Sequence, residues 1–183
     1  MTAAIIIIAI IAILVLWFIK VQRNLVSQDE LCQNALSQIG VQQNSRWDAL
    51  TALVELVKSY NEHEYKTLRD VIAMRKQIDG NSTAEEVNAQ ENAIAGAMRQ
   101  INIVAEQYPD LKANDNYAKA MESVNVYENQ VRMSRMTYND TVTKFNKLVR
   151  QFPDSIVANI LHFSIKTYLQ EPQGKTDMPS MAI

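Results

Sequence analysis

The sequence predicts an all-α protein, in which an N-terminal transmembrane helix is followed by a long antiparallel four-helix bundle with coiled-coil-like packing. Three observations lead to this prediction: an uncharged apolar run at the N-terminus, apolar residues repeating every seven positions, and only four glycines and four prolines among 183 residues. Average usage would give about 13 glycines and 9 prolines. A β-sandwich needs more turn formers than this chain has. We therefore divide the chain into a membrane anchor (1–20), a helical bundle (21–169) and a disordered tail (170–183).

The predicted anchor is the run TAAIIIIAIIAILVLWFI at residues 2–19. As a helix it would span roughly 27 Å, close to the hydrocarbon thickness of a bilayer. The competing interpretation is a cleaved signal peptide, but the run has no basic residues before it and no small-residue cleavage site after it. Trp17 suits the interface and Lys20 can extend its ammonium group to it. The anchor residues we assign are Ile5, Ile8, Ile11, Leu14, Trp17 and Lys20.

The orientation of the anchor follows from the basic residues beside it. Lys20 and Arg23 follow the apolar run, and neither Lys nor Arg precedes it. The positive-inside rule then places the C-terminal side in the cytoplasm. We expect a single-pass protein whose bundle is cytoplasmic.

The first two predicted helices of the bundle cover residues 21–44 and 47–78. Leu25, Cys32 and Ile39 are seven apart in the first, which has no breaker separating it from the anchor. Gly40 weakens a helix by about 1 kcal/mol relative to Ala, which favours a turn near Asn44–Ser45. In the second helix the repeat consists of Leu50, Val57, Val71 and Ile78.

The third and fourth predicted helices have clearer boundaries. Thr83 and Glu86 form a capping box that begins the third helix, and Pro109 ends it. The fourth ends at Pro153 and is followed by a short amphipathic turn that Ser155 could cap. Its stripe consists of Tyr117, Val124, Val131, Tyr138, Phe145 and Phe152, a repeat that indicates bundle packing.

Two charged residues, Glu128 and Arg135, occupy core-facing steps of the fourth helix. They lie seven residues apart on one face. One interpretation is that they sit at the edge of the stripe and are solvated. The other is a buried ionic layer that fixes helix register, with partners from other helices. Neither interpretation is catalytic.

The remaining chemistry of the sequence points away from an enzyme. His63-Glu64 begins like a helical zinc signature, but Thr67 stands where the second histidine belongs. The only cysteine, Cys32, excludes an internal disulfide and a CxxC site. A net charge of −2 without a basic block argues against nucleic-acid binding. We predict no catalytic residue, no cofactor, no metal and no nucleic-acid partner.

Four segments, at residues 46–64, 106–117, 127–140 and 152–158, resemble the LemA family in order and spacing. The most specific block is YPDLKAN, followed by the later YN and FP pairs. The resemblance implies a bacterial membrane protein with one N-terminal membrane helix, a helical bundle and no established enzymatic activity. The residues that it singles out, together with the charged pair described above, are Tyr108, Pro109, Leu111, Lys112, Glu128, Arg135, Tyr138, Asn139, Phe152 and Pro153.

Two functional hypotheses follow. The first is a scaffold in the bacterial inner membrane that self-associates through helix faces as a homo-oligomer. The second is a membrane-tethered regulatory adaptor that holds a signalling or protease partner. The sequence specifies neither that partner nor a ligand.

Overall fold

The computed structural model describes residues 1–170, and this part of the chain is helical without any strand. The predicted all-α class is therefore confirmed. Apart from Gln170, the predicted disordered tail lies outside the described residues. The helices are α1 (Thr2–Val57), α2 (Glu62–Ile72), α3 (Ala84–Gln107), α4 (Pro109–Lys112), α5 (Asp115–Arg150) and α6 (Asp154–Ile160).

Helix α1 is a single helix of 56 residues, so the predicted turn near Asn44–Ser45 is wrong. Ser45 stays helical, and its hydroxyl donates to the Val41 carbonyl at 3.2 Å. Gly40 has a different role from the one predicted. An ideal Cβ at Gly40 would lie 2.0 Å from the carbonyl oxygen of Ile78. The glycine therefore permits a close backbone crossing and does not end the helix.

The second predicted helix is also wrong, because residues 47–78 are divided between α1, α2 and a non-helical segment at 73–83. The Asn61 side chain accepts the N–H groups of His63 and Glu64 at 2.8 and 3.2 Å, which caps α2. Ile78 is buried as predicted from its repeat, although its backbone is not helical. The repeat therefore predicted the burial of Ile78 correctly, although no continuous helix carries the repeat to that residue.

The later helix boundaries agree with the sequence except at the end of α5 and at the beginning of α6. Thr83 and Glu86 form both bonds of the capping box, at 2.8 and 3.2 Å. Phe152, predicted as the last residue of the core stripe, lies beyond α5 and is 82% exposed. The predicted Ser155 cap is wrong, because Pro153 holds the N-cap position of α6 without a side-chain bond.

Helices α1 and α5 run antiparallel and form the main helix pair. Cys32 hydrogen-bonds Thr141, and Arg46 pairs with Glu128 farther along, which fixes the opposite chain directions. Helix α3 runs parallel to α1, since Gln43 and Trp47 bond Val87 and Gln90 in the same order.

The core consists of two apolar clusters. The near cluster, closest to the apolar N-terminal run, includes Leu25, Cys32, Ile39, Tyr138, Phe145, Val157 and Leu169. The far cluster includes Trp47, Leu50, Leu68, Ile94, Ile101, Leu111 and Val124. Helices α1, α2, α3 and α5 all contribute to the far cluster. In the near cluster, side chains from the non-helical segments at 73–83 and 161–170 complete the packing.

Residues 2–16, the larger part of the apolar run, extend from the bundle and are exposed. In residues 1–170, α1 is the one helix long and apolar enough to cross a membrane, and none of its most apolar stretch is buried. Trp17 and Phe18 pack against the near cluster. The candidate span therefore continues directly into the bundle.

Candidate functional site

A buried polar layer separates the two apolar clusters. On α1 it follows Ile39 and precedes Leu50, and on α3 it lies between Val87 and Ile94. On α5 the residues of the polar layer lie between Val124 and Tyr138. The members of this polar layer are Gln43, Arg46, Gln90, Glu91, Glu128 and Arg135.

Arg46 is at the centre of the polar layer and joins three helices. Its Nη1 lies 2.7 Å from Glu91 Oε1 on α3, and its Nη2 lies 3.0 Å from Glu128 Oε2 on α5. The Arg46 and Glu91 side chains are only 3% and 8% exposed, whereas Glu128 is 28% exposed. Charge-assisted hydrogen bonds at these distances are strong and directional. Arg46 therefore sets the registers of α3 and α5 against α1.

Arg135 belongs to the same layer but has different partners. Its Nη2 donates to Asn88 Oδ1 at 2.9 Å and to the backbone carbonyl of Gln170. Burial lowers the pKa of Arg135, and the nearby carboxylate of Glu91 opposes that shift. Glu128 therefore forms an ion pair with a partner from another helix, as the second interpretation predicted, whereas Arg135 hydrogen-bonds neutral acceptors on α3 and in the C-terminal segment.

The polar layer also holds the non-helical segment at 73–83. Gln90 Oε1 accepts from Trp47 Nε1 at 3.1 Å and from the Lys76 N–H at 2.9 Å. Its Nε2 donates to the Met74 carbonyl at 3.2 Å. The side-chain amide of Gln90 thus bonds two backbone groups of this segment, which has no regular secondary structure to pair them.

Sequence reasoning missed four members of the polar layer: Gln43, Arg46, Gln90 and Glu91. The signal for Arg46 was present, because it continues the repeat of Leu25, Cys32 and Ile39 by seven residues. The incorrect turn at Asn44–Ser45 hid this continuation. Glu91 fills the alternate step between Val87 and Ile94 in the same way.

Tyr108, Pro109, Leu111 and Lys112 lie together at the far end of the bundle. The Asn61 amide, which caps α2, donates to the Tyr108 hydroxyl at 2.8 Å. Pro109 occupies the first turn of α4, Leu111 is fully buried in the far cluster, and Lys112 is exposed. This block joins the beginning of α2 to the connection between α3 and α5.

Tyr138 and Asn139 hold the C-terminal segment against α5. The Tyr138 hydroxyl donates to the Thr167 carbonyl at 3.1 Å, and burial raises the Tyr138 pKa to about 12, with smaller contributions from Cys32 and Glu85. The Asn139 amide bonds both the carbonyl and the N–H of Leu169, at 3.0 and 2.9 Å.

Asn146, one heptad after Asn139, makes the same paired bonds to Lys166, at 2.9 and 2.8 Å. Two asparagines at heptad spacing therefore hold an extended segment along the helix. Sequence reasoning did not identify Asn146. The available signal was the seven-residue spacing from Asn139 to Asn146, directly beside the apolar stripe.

The assigned anchor residues lie within the candidate span or at its C-terminal end. Ile5, Ile8, Ile11 and Leu14 are all exposed and have no packing partner within the bundle. Lys20 is exposed at the point where the bundle begins.

Cysteine and metal chemistry find little support in the described part of the chain. The Cys32 side chain is fully buried, and burial raises the pKa of its thiol, which disfavours the reactive thiolate. Within residues 1–170, no group of three or more histidine, cysteine, aspartate and glutamate side chains is placed to hold a metal ion.

The fold and the polar layer define a class: helical-bundle proteins that carry one candidate membrane helix and join their helices through a buried ionic layer. The chain belongs to the LemA family, whose model matches residues 35–182. It is also similar to Protein LemA of Metamycoplasma hominis, with 29% identity over 158 residues, which cover 83% of this chain and 71% of that protein. The resemblance seen in the four sequence blocks is thereby confirmed.

Proposed function

We propose that the protein is a membrane-anchored, non-enzymatic scaffold that self-associates through helix faces. The observation that carries this proposal is the continuity of α1. The exposed apolar run and the part of α1 that packs in the bundle belong to one uninterrupted helix. A bundle attached in this way is held at a fixed distance from the bilayer, which suits a protein that presents a surface.

The anchoring is supported by the cost of leaving the apolar run in water. Every residue from 2 to 16 is exposed, and most are isoleucine, leucine, valine or alanine. Soluble monomers rarely expose a contiguous apolar surface of this extent. A bilayer accommodates the run as a helix because all backbone groups bond internally.

The self-association is supported by apolar side chains on the outer surface of α5. Val126, Met133 and Met136 are large, exposed and spaced at seven and three residues, which places them along one side of the helix. Methionine side chains adapt readily to an apposed surface. A stripe of this kind can continue bundle packing across a boundary between two copies.

The non-enzymatic part of the proposal is supported by the state of the buried charges. Arg46 on α1 binds both Glu91 on α3 and Glu128 on α5. Groups that are engaged in this way serve structure and are poorly placed to bind a substrate.

Light scattering after size exclusion, on the full chain in a mild detergent, tests the scaffold. We expect an oligomer whose mass decreases in the double variant Met133→Lys/Met136→Lys. The matched control is Met74→Lys, since Met74 is similarly exposed but lies in the non-helical segment at 73–83. An unmodified chain that stays monomeric at high concentration would contradict the scaffold and favour the regulatory adaptor.

We further propose that the anchor lies in the bacterial inner membrane with the bundle in the cytoplasm, as the basic residues Lys20 and Arg23 support. Cys32 is fully buried and would label poorly from either side. A better reporter is Met74→Cys in a Cys32→Ser background, because Met74 is exposed and lies outside the proposed self-association stripe. A membrane-impermeant maleimide should label this variant only after the cells are permeabilised, and labelling of intact cells would contradict the orientation.

A further inference from the structure

A second apolar surface lies at the connection between α5 and α6. We call residues 151–161 the α5–α6 corner. Its large exposed side chains are Phe152, Ile156, Ile160 and Leu161, with Phe152 82% and Ile160 59% exposed. None of these side chains belongs to either core cluster.

The antiparallel register places this corner beside the membrane-proximal part of α1. Cys32 lies beside Thr141. Helix α5 ends at Arg150, nine residues after Thr141. Because the two helices are antiparallel, Arg150 lies at the level of Arg23, which is nine residues before Cys32 on α1. Arg23 follows the last residue of the apolar run, Ile19, by only about 6 Å of helix. The corner therefore lies at the level where the candidate span leaves the bilayer.

The corner is held firmly, so its exposed apolar face is part of the fold. Val157 and Ala158 are buried in the near cluster, while Ile156 and Ile160, one turn apart, face outward. The N–H groups of His162 and Phe163 bond the carbonyls of Asn159 and Ala158 at 3.2 and 2.9 Å, which closes α6 in a Schellman motif. The ring of Phe163 packs edge-on against Phe145 at 6.0 Å between centroids.

The α1–α5 register places basic residues at the same level as the corner. Lys20 and Arg23 lie at the base of the bundle on α1, and Lys147 and Arg150 lie in the last turn of α5. The corner contributes one acidic residue, Asp154. Apolar side chains beside a cluster of basic ones match the two layers of a membrane surface, the acyl boundary and the anionic headgroups.

We propose that the α5–α6 corner inserts Phe152, Ile156 and Ile160 into the headgroup–acyl boundary of the bilayer that the N-terminal helix spans. This inference rests on the anchoring proposed above. It adds a second contact with the lipid, so that the bundle cannot rotate freely about α1. The outer stripe of α5 is then presented in one orientation relative to the membrane plane.

Fluorescence quenching in vesicles tests the insertion. The full chain, with Cys32→Ser, receives one environment-sensitive fluorophore at a cysteine that replaces Phe152, Ile160, Ile8 or Met133. The vesicles contain phosphatidylcholine and phosphatidylglycerol, with a nitroxide placed either high or deep on the acyl chain. Ile8 reports the anchor, and Met133 reports an exposed position farther along α5.

We expect the labels at 152 and 160 to be quenched several-fold more strongly than the label at 133, and best by the shallow nitroxide. The label at 8 should be quenched best by the deep nitroxide. Replacing phosphatidylglycerol with phosphatidylcholine should weaken quenching at 152 and leave quenching at 8 unchanged.

Three results would overturn the inference, and they are distinguishable. Quenching at 8 with labels at 152 and 160 that are exposed to water and not quenched by lipid would reject the corner contact and leave the anchor intact. Labels at 152 and 160 that are shielded from water but not quenched by lipid would mean that a second copy covers the corner. The absence of quenching at 8 would reject the anchoring itself, and the corner contact with it.

Discussion

Replacing Arg46 with methionine should strongly destabilise the bundle, because it leaves a buried carboxylate without its cation. The variant loses the bonds of 2.7 Å to Glu91 and 3.0 Å to Glu128. Glu128 can turn toward solvent, but Glu91 is only 8% exposed and cannot. Removing one partner of a buried ion pair costs about 3–5 kcal/mol. That is a large part of the 5–15 kcal/mol by which a typical domain is stable.

The double variant Arg46→Met/Glu91→Leu separates an unpaired charge from lost packing. Removing both charges should return the stability to within about 1 kcal/mol of the unmodified protein, since apolar replacement of a whole buried pair is often neutral. The hydrogen bonding of the layer supports this expectation. Among the described residues, Arg46 Nε and Glu91 Oε2 are buried without a hydrogen-bond partner. Glu91→Leu alone should cost less than Arg46→Met, because Arg46 keeps Glu128.

Thermal unfolding of the full chain in a mild detergent, followed by far-UV circular dichroism, measures these effects. The expected loss for Arg46→Met corresponds to a decrease in Tm of about 6–20 °C for a chain of this size. Lys66→Ala is the control, because it breaks an exposed pair with Glu62 on α2 and should cost under about 0.5 kcal/mol. An Arg46→Met variant as stable as this control would refute the idea that the polar layer fixes helix register.

Three further predictions concern the fold. Gly40→Ala should destabilise the protein by about 2 kcal/mol or more in thermal unfolding, because the new Cβ would meet the backbone carbonyl of Ile78, which cannot move aside at low cost. Gly96→Ala should instead raise the stability by up to about 1 kcal/mol, because a Cβ there meets nothing within 4 Å. Equal effects of the two substitutions would contradict this account. The buried phenol of Tyr138 keeps its proton to about pH 12, so its contribution to stability is complete below pH 10 and lost between pH 10 and 12. In Tyr138→Phe the free energy of unfolding should therefore decrease less steeply with pH across that range. An unchanged dependence on pH would contradict this prediction. Deleting residues 1–20 should yield a soluble, still helical protein, and its retention in membranes after a carbonate wash would show that the anchor lies elsewhere.

The elements that could be predicted from the sequence are those set by neighbouring residues. The capping box of Thr83 and Glu86 involves residues three apart, and both of its bonds are present. The repeat along α5 also predicted correctly that Tyr138 and Phe145 are buried. The repeat failed at Phe152 because the helix ends two residues earlier. A periodic pattern alone does not indicate where a helix ends.

The candidate site was only partly predictable, since its partners are distant in sequence. Glu128 and Arg135 were noticed because charges interrupted an apolar stripe. Their partners Arg46 and Asn88 come from helices α1 and α3, and no local rule joins residues 82 or 47 positions apart.

The sequence by itself determined that this chain is helical, that it begins with an apolar run long enough to span a bilayer, and that it belongs among LemA proteins. These properties depend on composition, on short-range periodicity and on motifs that can be read along the chain. Only the tertiary structure decided that α1 continues through Asn44–Ser45, that Arg46 binds Glu91, and that the α5–α6 corner lies near the end of the apolar run. The last two depend on contacts between distant segments: a carboxylate that neutralises a buried guanidinium, and two long helices paired in one register. Gly40, which suggested a turn in the sequence, instead lies against the Ile78 carbonyl within an unbroken helix. Such contacts are selected by packing and desolvation in the folded chain, which act on all segments together.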